Sequence, residues 1–293
     1  MAVSAAMRAP TEFTARVVYA VAHTVVLGRE CLRRAIQIEF VDRSVALASL
    51  AFTALVPLGV VTGSLLPSVG RRNLADSITD RFQLDADTAG LVHDLFAPPE
   101  DVRSATSAAG LLLLVVAALS FTRGLQRVYE RSWQLPSLGV RGTPAGLKWL
   151  AGVVIFLAVF AGTRAWLPDL VGPALDIAVA LVTSALIWLV TPHTLLSRRV
   201  AWTDLVPTAV LTSVCMTTLS IGSVLYMPGA IADSAKQYGQ IGVTISLVSW
   251  LVAVGFVLVG CAAVGAVLAE RIDGRWDAQL RRMVPRLPRR HPQ

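Results

Sequence analysis

The chain has 293 residues, of which 55% are hydrophobic and only 15% charged, against about 25% charged in an ordinary soluble domain. The charges also avoid long stretches. Charge-free runs occupy Ser44–Gly70, Ser104–Thr122, Trp149–Thr163, Ile177–Ser197, Leu205–Ala232 and Gln237–Ala269. About 20 apolar residues suffice to cross the hydrocarbon core as a helix. These runs exclude an ordinary soluble fold, and their lack of alternation excludes a β-barrel.

The expected fold is all-α: a polytopic membrane bundle of six transmembrane helices with an N-terminal amphipathic helix. Residues 1–43 are a cytoplasmic amphipathic segment, 44–269 the membrane domain and 270–293 a basic cytoplasmic tail. The expected spans cover about 44–69, 104–122, 149–167, 177–197, 205–227 and 238–269.

In residues 1–43, the stretch Val17–Leu27 is not a secretory signal, because His23 interrupts it and no A-x-A-like cleavage site follows. At 100° per residue Val18, Val21, Val25, Leu32 and Ile36 share one face, with Arg16, His23, Glu30, Arg34 and Glu39 opposite. Two readings follow: a helix lying on the inner membrane surface, or one packing its apolar face on the cytoplasmic span ends.

Span one carries Pro57, which frees a backbone carbonyl and kinks a helix. The outer loop 71–103 is acidic. Its residues Leu74, Ile78 and Phe82, then Leu91 and Leu95, fall at helical spacing, with Asp87 or Thr88 as the cap of the second short helix. Its aspartates lack the spacing of a calcium loop and read as a solvated face.

After span two, Arg123, Arg127 and Arg131 recur every four residues, predicting a basic extension in which Glu130 pairs with Arg127. The short third run extends past Arg164, which can snorkel to the headgroups. Trp149, Trp166 and Trp202 fall at span ends, where an indole prefers the interface; Trp188 and Trp250 read as packing residues.

Span five places Ser213, Thr217 and Ser220 on one face. Span six repeats Gly242, Ser246, Ser249 and Ala253, then Cys261, Gly265 and Ala269, at small-xxx-small spacing. Such residues serve close helix packing or line a solute path. The three cysteines form no pair with disulfide or zinc spacing.

Charge fixes the orientation. Arg plus Lys number 20 on the side holding 1–43, 123–148, 198–204 and 270–293, and 6 on the other; Asp plus Glu number 9 and 10. One side is therefore +11 and the other −4, within a total of +7. Short Arg-rich loops stay in the cytoplasm, so both termini are expected there, in a plasma (inner) membrane. Anionic lipids are the expected partners of the basic face, a homo-oligomer is compatible with the pattern, and nucleic acid is not expected.

Four stretches share a wider pattern. They are Asp42-Arg43-Ser44-Val45-Ala46-Leu47-Ala48 through Pro57, Phe121-Thr122-Arg123-Gly124-Leu125-Gln126 through Trp133, Arg199-Val200-Ala201-Trp202 through Pro207, and Tyr238-Gly239-Gln240-Ile241-Gly242 followed by Trp250. In order and spacing the chain resembles the YihY/virulence factor BrkB family of bacterial inner-membrane proteins. Family members usually carry aromatics where Ser49 and Leu50 stand, and many read Gly-Ala-Glu where this chain has Cys261-Ala262-Ala263. A role for that acidic residue is not carried over. The resemblance implies a six-helix bundle linked to envelope and virulence phenotypes and to transport-like functions; the family has also carried a ribonuclease label.

The four histidines lie on different segments, and no HxH, HExxH, GxSxG or P-loop occurs. No catalytic, metal or cofactor residue is therefore expected, and no enzyme. Transport-like handling of an unnamed solute is the first reading, and an envelope-organising scaffold the second. The candidate structural or path-lining residues are Pro57, Arg123, Ser213, Thr217, Ser220, Tyr238, Gly239, Gly242 and Trp250. No ionisable group stands near a span midplane, which disfavours an ion-coupled carrier.

Overall fold

The computed structural model describes residues 24–65, 74–96, 107–166 and 173–272, and among these every regular element is helical. Helix α1 covers residues 24–37. It is followed by α2 (Phe40–Leu65), α3 (Leu74–Phe82), α4 (Ala86–Phe96), α5 (Ser107–Ser132), α6 (Thr143–Trp166), α7 (Pro173–Leu195), α8 (Trp202–Tyr238) and α9 (Gln240–Ile272). A short 3₁₀ turn, Gly139–Gly142, leads into α6.

Three described helical stretches are long and apolar enough to cross a membrane: Leu112–Ser132, Trp202–Tyr238 and Gln240–Ile272; Val182–Leu195 is a shorter apolar one. The bundle wears its aliphatic side chains outward. Leu112, Leu113, Ile155, Leu186, Val210, Ile221 and Ile245 are all more than half exposed. An apolar belt of that extent is unfavourable in water and suits lipid tails.

Six helices bring one end to a common pole. The start of α2, the end of α5, the starts of α6 and α8, and the ends of α7 and α9 all meet there. Their seam is an aliphatic cluster holding Leu47, Leu125, Tyr129, Leu195, Leu205, Leu258 and Ala262. A second cluster lies at the opposite pole, where α3 and α4 pack through Ala75, Phe82 and Val92 onto Met227, Ile231, Val243 and Leu247. Helix α8 has 37 residues, about 55 Å at 1.5 Å per residue. That exceeds a hydrocarbon core of about 30 Å, so the α8–α9 hairpin carries its own tip, with α3 and α4 around it.

The helices α3 and α4 fall where the apolar spacing predicts them, but the cap of α4 differs. Asp85, not Asp87 or Thr88, holds the first turn: its carboxylate accepts from the Thr88 hydroxyl and backbone N–H, which lowers its pKa below the ordinary value. An N-cap residue reaches the N–H three positions on, and Asp85 stands three before Thr88.

Three helix ends are closed without glycine. Gln83, Gln134 and Ser197 take positive φ of 49°, 52° and 53°. Behind them, the N–H groups of Leu84, Leu135 and Arg198 reach back five residues to Thr79, Glu130 and His193. That bond is the long closure of a Schellman turn, for which glycine is the usual residue.

In helix α1 the two faces are not equally covered. Val25, Leu32 and Ile36 are 55%, 63% and 70% exposed, whereas Arg34 is 2% exposed. The described part of the apolar face therefore does not pack on the bundle; the arginine of the polar face does. Val18, Val21, Arg16 and His23 lie outside the described residues, as do residues 97–103 and the tail beyond Ile272. Pro57 falls within α2, and its side chain is likewise outside the described part.

Candidate functional site

Two polar assemblies knit the pole at which the helix ends gather. In the first, Arg34 donates to both carboxylate oxygens of Glu270 at 3.0 and 2.9 Å, and also to the Ser132 carbonyl. One guanidinium from α1 thus locks the end of α5 to the end of α9. In the second, Glu130 is only 2% exposed. It accepts from Arg199 at 3.1 Å, from the Gln126 amide at 3.2 Å and from the Leu138 N–H at 3.0 Å. Arg199 completes the knot by donating to the Pro136 carbonyl at 2.7 Å. Three donors satisfy a carboxylate in a setting where an unpaired charge is costly.

Helical spacing pairs Glu130 with Arg127; the structure instead pairs it with Arg199, 69 residues away. Arg127 lies on the exposed face of α5, while Glu130 is buried. Arg123 is exposed and donates to the Thr143 hydroxyl at 2.8 Å, tying α5 to the first residue of α6. Gly146 also faces Thr122 closely there, so no larger residue fits without movement.

The hydroxyl face of α8 divides. Ser213 is buried, and Thr217 and Ser220 are half-buried. The Thr212 and Ser223 hydroxyls bond back to their own helix, at the Thr208 and Ser220 carbonyls. Ser220 receives a cation from outside its helix: Arg81 of α3 reaches both its carbonyl and its hydroxyl. The row Ser213, Thr217, Ser220 therefore ends at an arginine supplied by the α3–α4 lobe.

The motif Tyr238-Gly239-Gln240-Ile241-Gly242 forms the tight link between α8 and α9. Gly239 takes φ 57° and ψ −135°, a combination essentially reserved for glycine. Gly242 abuts the Ser234 carbonyl so closely that a Cβ has no room. Tyr238 itself is exposed. Trp250 meets Phe82 edge-on at 5.7 Å and 81°, and Trp188 packs on the first cluster, so both are packing residues. Trp149 donates to the Thr191 hydroxyl at 3.1 Å.

Among the described residues no group of three or more His, Cys, Asp or Glu is placed to hold a metal. In the α3–α4 lobe Asp76 pairs with His93 at 3.1 Å, and Asp85 caps α4.

The model of the family described as Virulence factor BrkB matches residues 31–284. The chain belongs to the BrkB family. No curated protein and no solved structure matches it. The matched region starts just before Arg34 and runs past Glu270, so both arginine knots of this BrkB-family protein lie within it. Sequence reasoning missed Arg34, because a charge on the polar face of an amphipathic helix reads as solvated. Arg199 entered it only as a motif letter, and Trp202 as a motif letter and a span-end indole.

Proposed function

We propose that this BrkB-family protein crosses the bacterial plasma membrane six times with both termini in the cytoplasm. In this reading it passes a small solute down its gradient, as neither an enzyme nor a cofactor protein. The single observation that supports the transport-like reading is the hydroxyl row Ser213, Thr217, Ser220 ending at Arg81. A polar strip with a cation at its outer end offers an anionic or hydroxyl-bearing solute successive hydrogen-bond partners. No carboxylate stands in that strip, so coupling to protons or sodium is not part of the proposal. The basic pole then faces the inner leaflet, and its partners are anionic lipids.

A second reading, an envelope-organising scaffold, is favoured by a different observation. Thr212 and Ser223 satisfy their hydroxyls on their own helix, as packing residues do.

Proteoliposome flux separates the two. Under the transport reading, a panel of small anions and polyols yields at least one permeant, and its flux falls severalfold in Ser213→Ala/Thr217→Val and in Arg81→Gln. Absence of flux across the panel, with partners recovered by cross-linking, transfers the assignment to the scaffold. Reporter tags near residues 85 and 290 must report opposite compartments.

A further inference from the structure

An open cleft of about 600 Å³ lies between the 3₁₀ turn, the first turns of α6, the end of α7 and the start of α8. Its charged lining is Arg141, Lys148 and Arg198, with no Asp or Glu among the lining residues. None of the ion pairs among the described residues uses these three cations. Elsewhere at the same pole Arg34 and Arg199 are matched to carboxylates. Three like charges gathered without a counter-charge repel one another, and an anion relieves that repulsion.

Independent features of the cleft point to the same kind of ligand. His193 lines it, is only 8% exposed and stacks on Trp202 at 3.6 Å between ring centroids, yet its Nδ1 has no hydrogen-bond partner. A buried ring nitrogen without a partner is costly unless a ligand supplies one. The N-terminal ends of α6 and α8 also border the cleft, through Pro144, Ala145 and Trp202, and helix N-termini favour anions. At the end of α7, Ser197 and Arg198 both take positive φ, 53° and 61°. That strained pair stands where Arg198 joins the lining.

One wall of the cleft is apolar and continues outward. Val190 lines the cleft, and Val182, Leu186 and Val190 recur every four residues along α7 at 60%, 54% and 45% exposure. We propose that the cleft binds the phosphate of an anionic membrane lipid, a phosphomonoester such as phosphatidic acid, with an acyl chain along that α7 stripe. Three cations suit the near-double charge of a phosphomonoester better than a singly charged diester. The continuous aliphatic track favours a lipid over free phosphate. This inference rests on the basic pole facing the inner leaflet, as in the preceding reading.

The test uses the full chain in a neutral detergent. Phosphatidic acid and phosphatidylcholine are titrated and counted by native mass spectrometry, and inorganic phosphate is titrated by calorimetry. The expected result is phosphatidic acid binding at least about tenfold tighter than phosphatidylcholine, with phosphate weak. Arg198→Gln/Lys148→Gln should lose about tenfold, each lost charge-assisted contact being worth a few-fold or more. The charge-preserving Arg198→Lys/Lys148→Arg should keep most of the binding, which guards against misfolding as the cause of the loss. Arg29→Gln/Arg127→Gln, two exposed arginines outside the cleft, should change nothing. Equal losses in both Gln pairs mean a diffuse basic surface and overturn the site. Phosphate binding as tight as the lipid overturns the lipid assignment. If the residue-85 and residue-290 tags place this pole outside while phosphatidic acid still binds in the cleft, the topology falls and the site stands.

Discussion

The crossing of α2 and α9 depends on Gly255. A Cβ built on that residue comes within 2.5 Å of the Ser44 carbonyl oxygen, 3.1 Å of its carbon and 3.3 Å of its Cα. All three are backbone atoms, so no rotamer can step aside. Carbon–oxygen contacts are comfortable from about 3.3 Å, so Gly255→Ala forces the helices apart by roughly 0.8 Å there. The neighbouring contacts include the Phe40–Phe256 stack at 5.3 Å and the cluster around Leu47, Leu258 and Val259. If some twenty atom pairs worth about 0.15 kcal/mol each lose about a third of their attraction, the loss is roughly 1 kcal/mol. Residual strain brings the expected cost into the range of about 1–3 kcal/mol usual for overpacking. Gly222→Ala is the matched control, since a Cβ there meets nothing within 4 Å; helix propensity makes it neutral or stabilising by up to about 1 kcal/mol. Steric trapping in bicelles reads both free energies. Equal stability of Gly255→Ala and the parent protein would show that α2 and α9 do not cross at this point.

Two more outcomes follow from the pole and the lobe. Glu130→Ala leaves the part-exposed Arg199 without its carboxylate, and should destabilise by about 1.5–3 kcal/mol, the range for a lost hydrogen bond to a charged group. The double variant Glu130→Ala/Arg199→Ala should recover part of that loss in the same assay, and strict additivity would refute the pairing. The Asp85 cap gives the α3–α4 lobe a pH dependence. Because the folded carboxylate titrates below its ordinary value, its contribution is full above the unfolded pKa of about 4 and disappears as pH falls through the folded one. Hydrogen-exchange protection factors at residues 86–89, taken against the intrinsic rate at each pH, should therefore fall on acidification in the parent and show a weaker pH trend in Asp85→Ala. An unchanged trend in the variant assigns the effect to other groups.

The chain's primary structure settled whatever depends on local pattern. Charge-free runs and small-residue spacing are one-dimensional signals, because a helix in lipid satisfies its own backbone and needs only apolar length. They marked the long helices, and the spacing of Ile78, Phe82, Leu91 and Leu95 marked the lobe helices. Gly242 and Gly265, picked for small-residue spacing, do sit at close helix approaches. The Asp42 and Tyr238 motifs, with the other two, were enough for family membership.

Only the tertiary structure decided what the charges do. Arg34 and Glu270 are 236 residues apart, and Glu130 and Arg199 are 69 apart; no helical period joins such pairs. The helix ends at Gln83, Gln134 and Ser197 carry positive φ without glycine, closed by the backbone bonds of Leu84, Leu135 and Arg198 five residues back. Arg141 and Lys148 belong to one stretch of sequence, and His193 and Arg198 to another. They form a cleft because the ends of α6, α7 and α8 are folded to one pole, where charge can leave the lipid but still be gathered by packing.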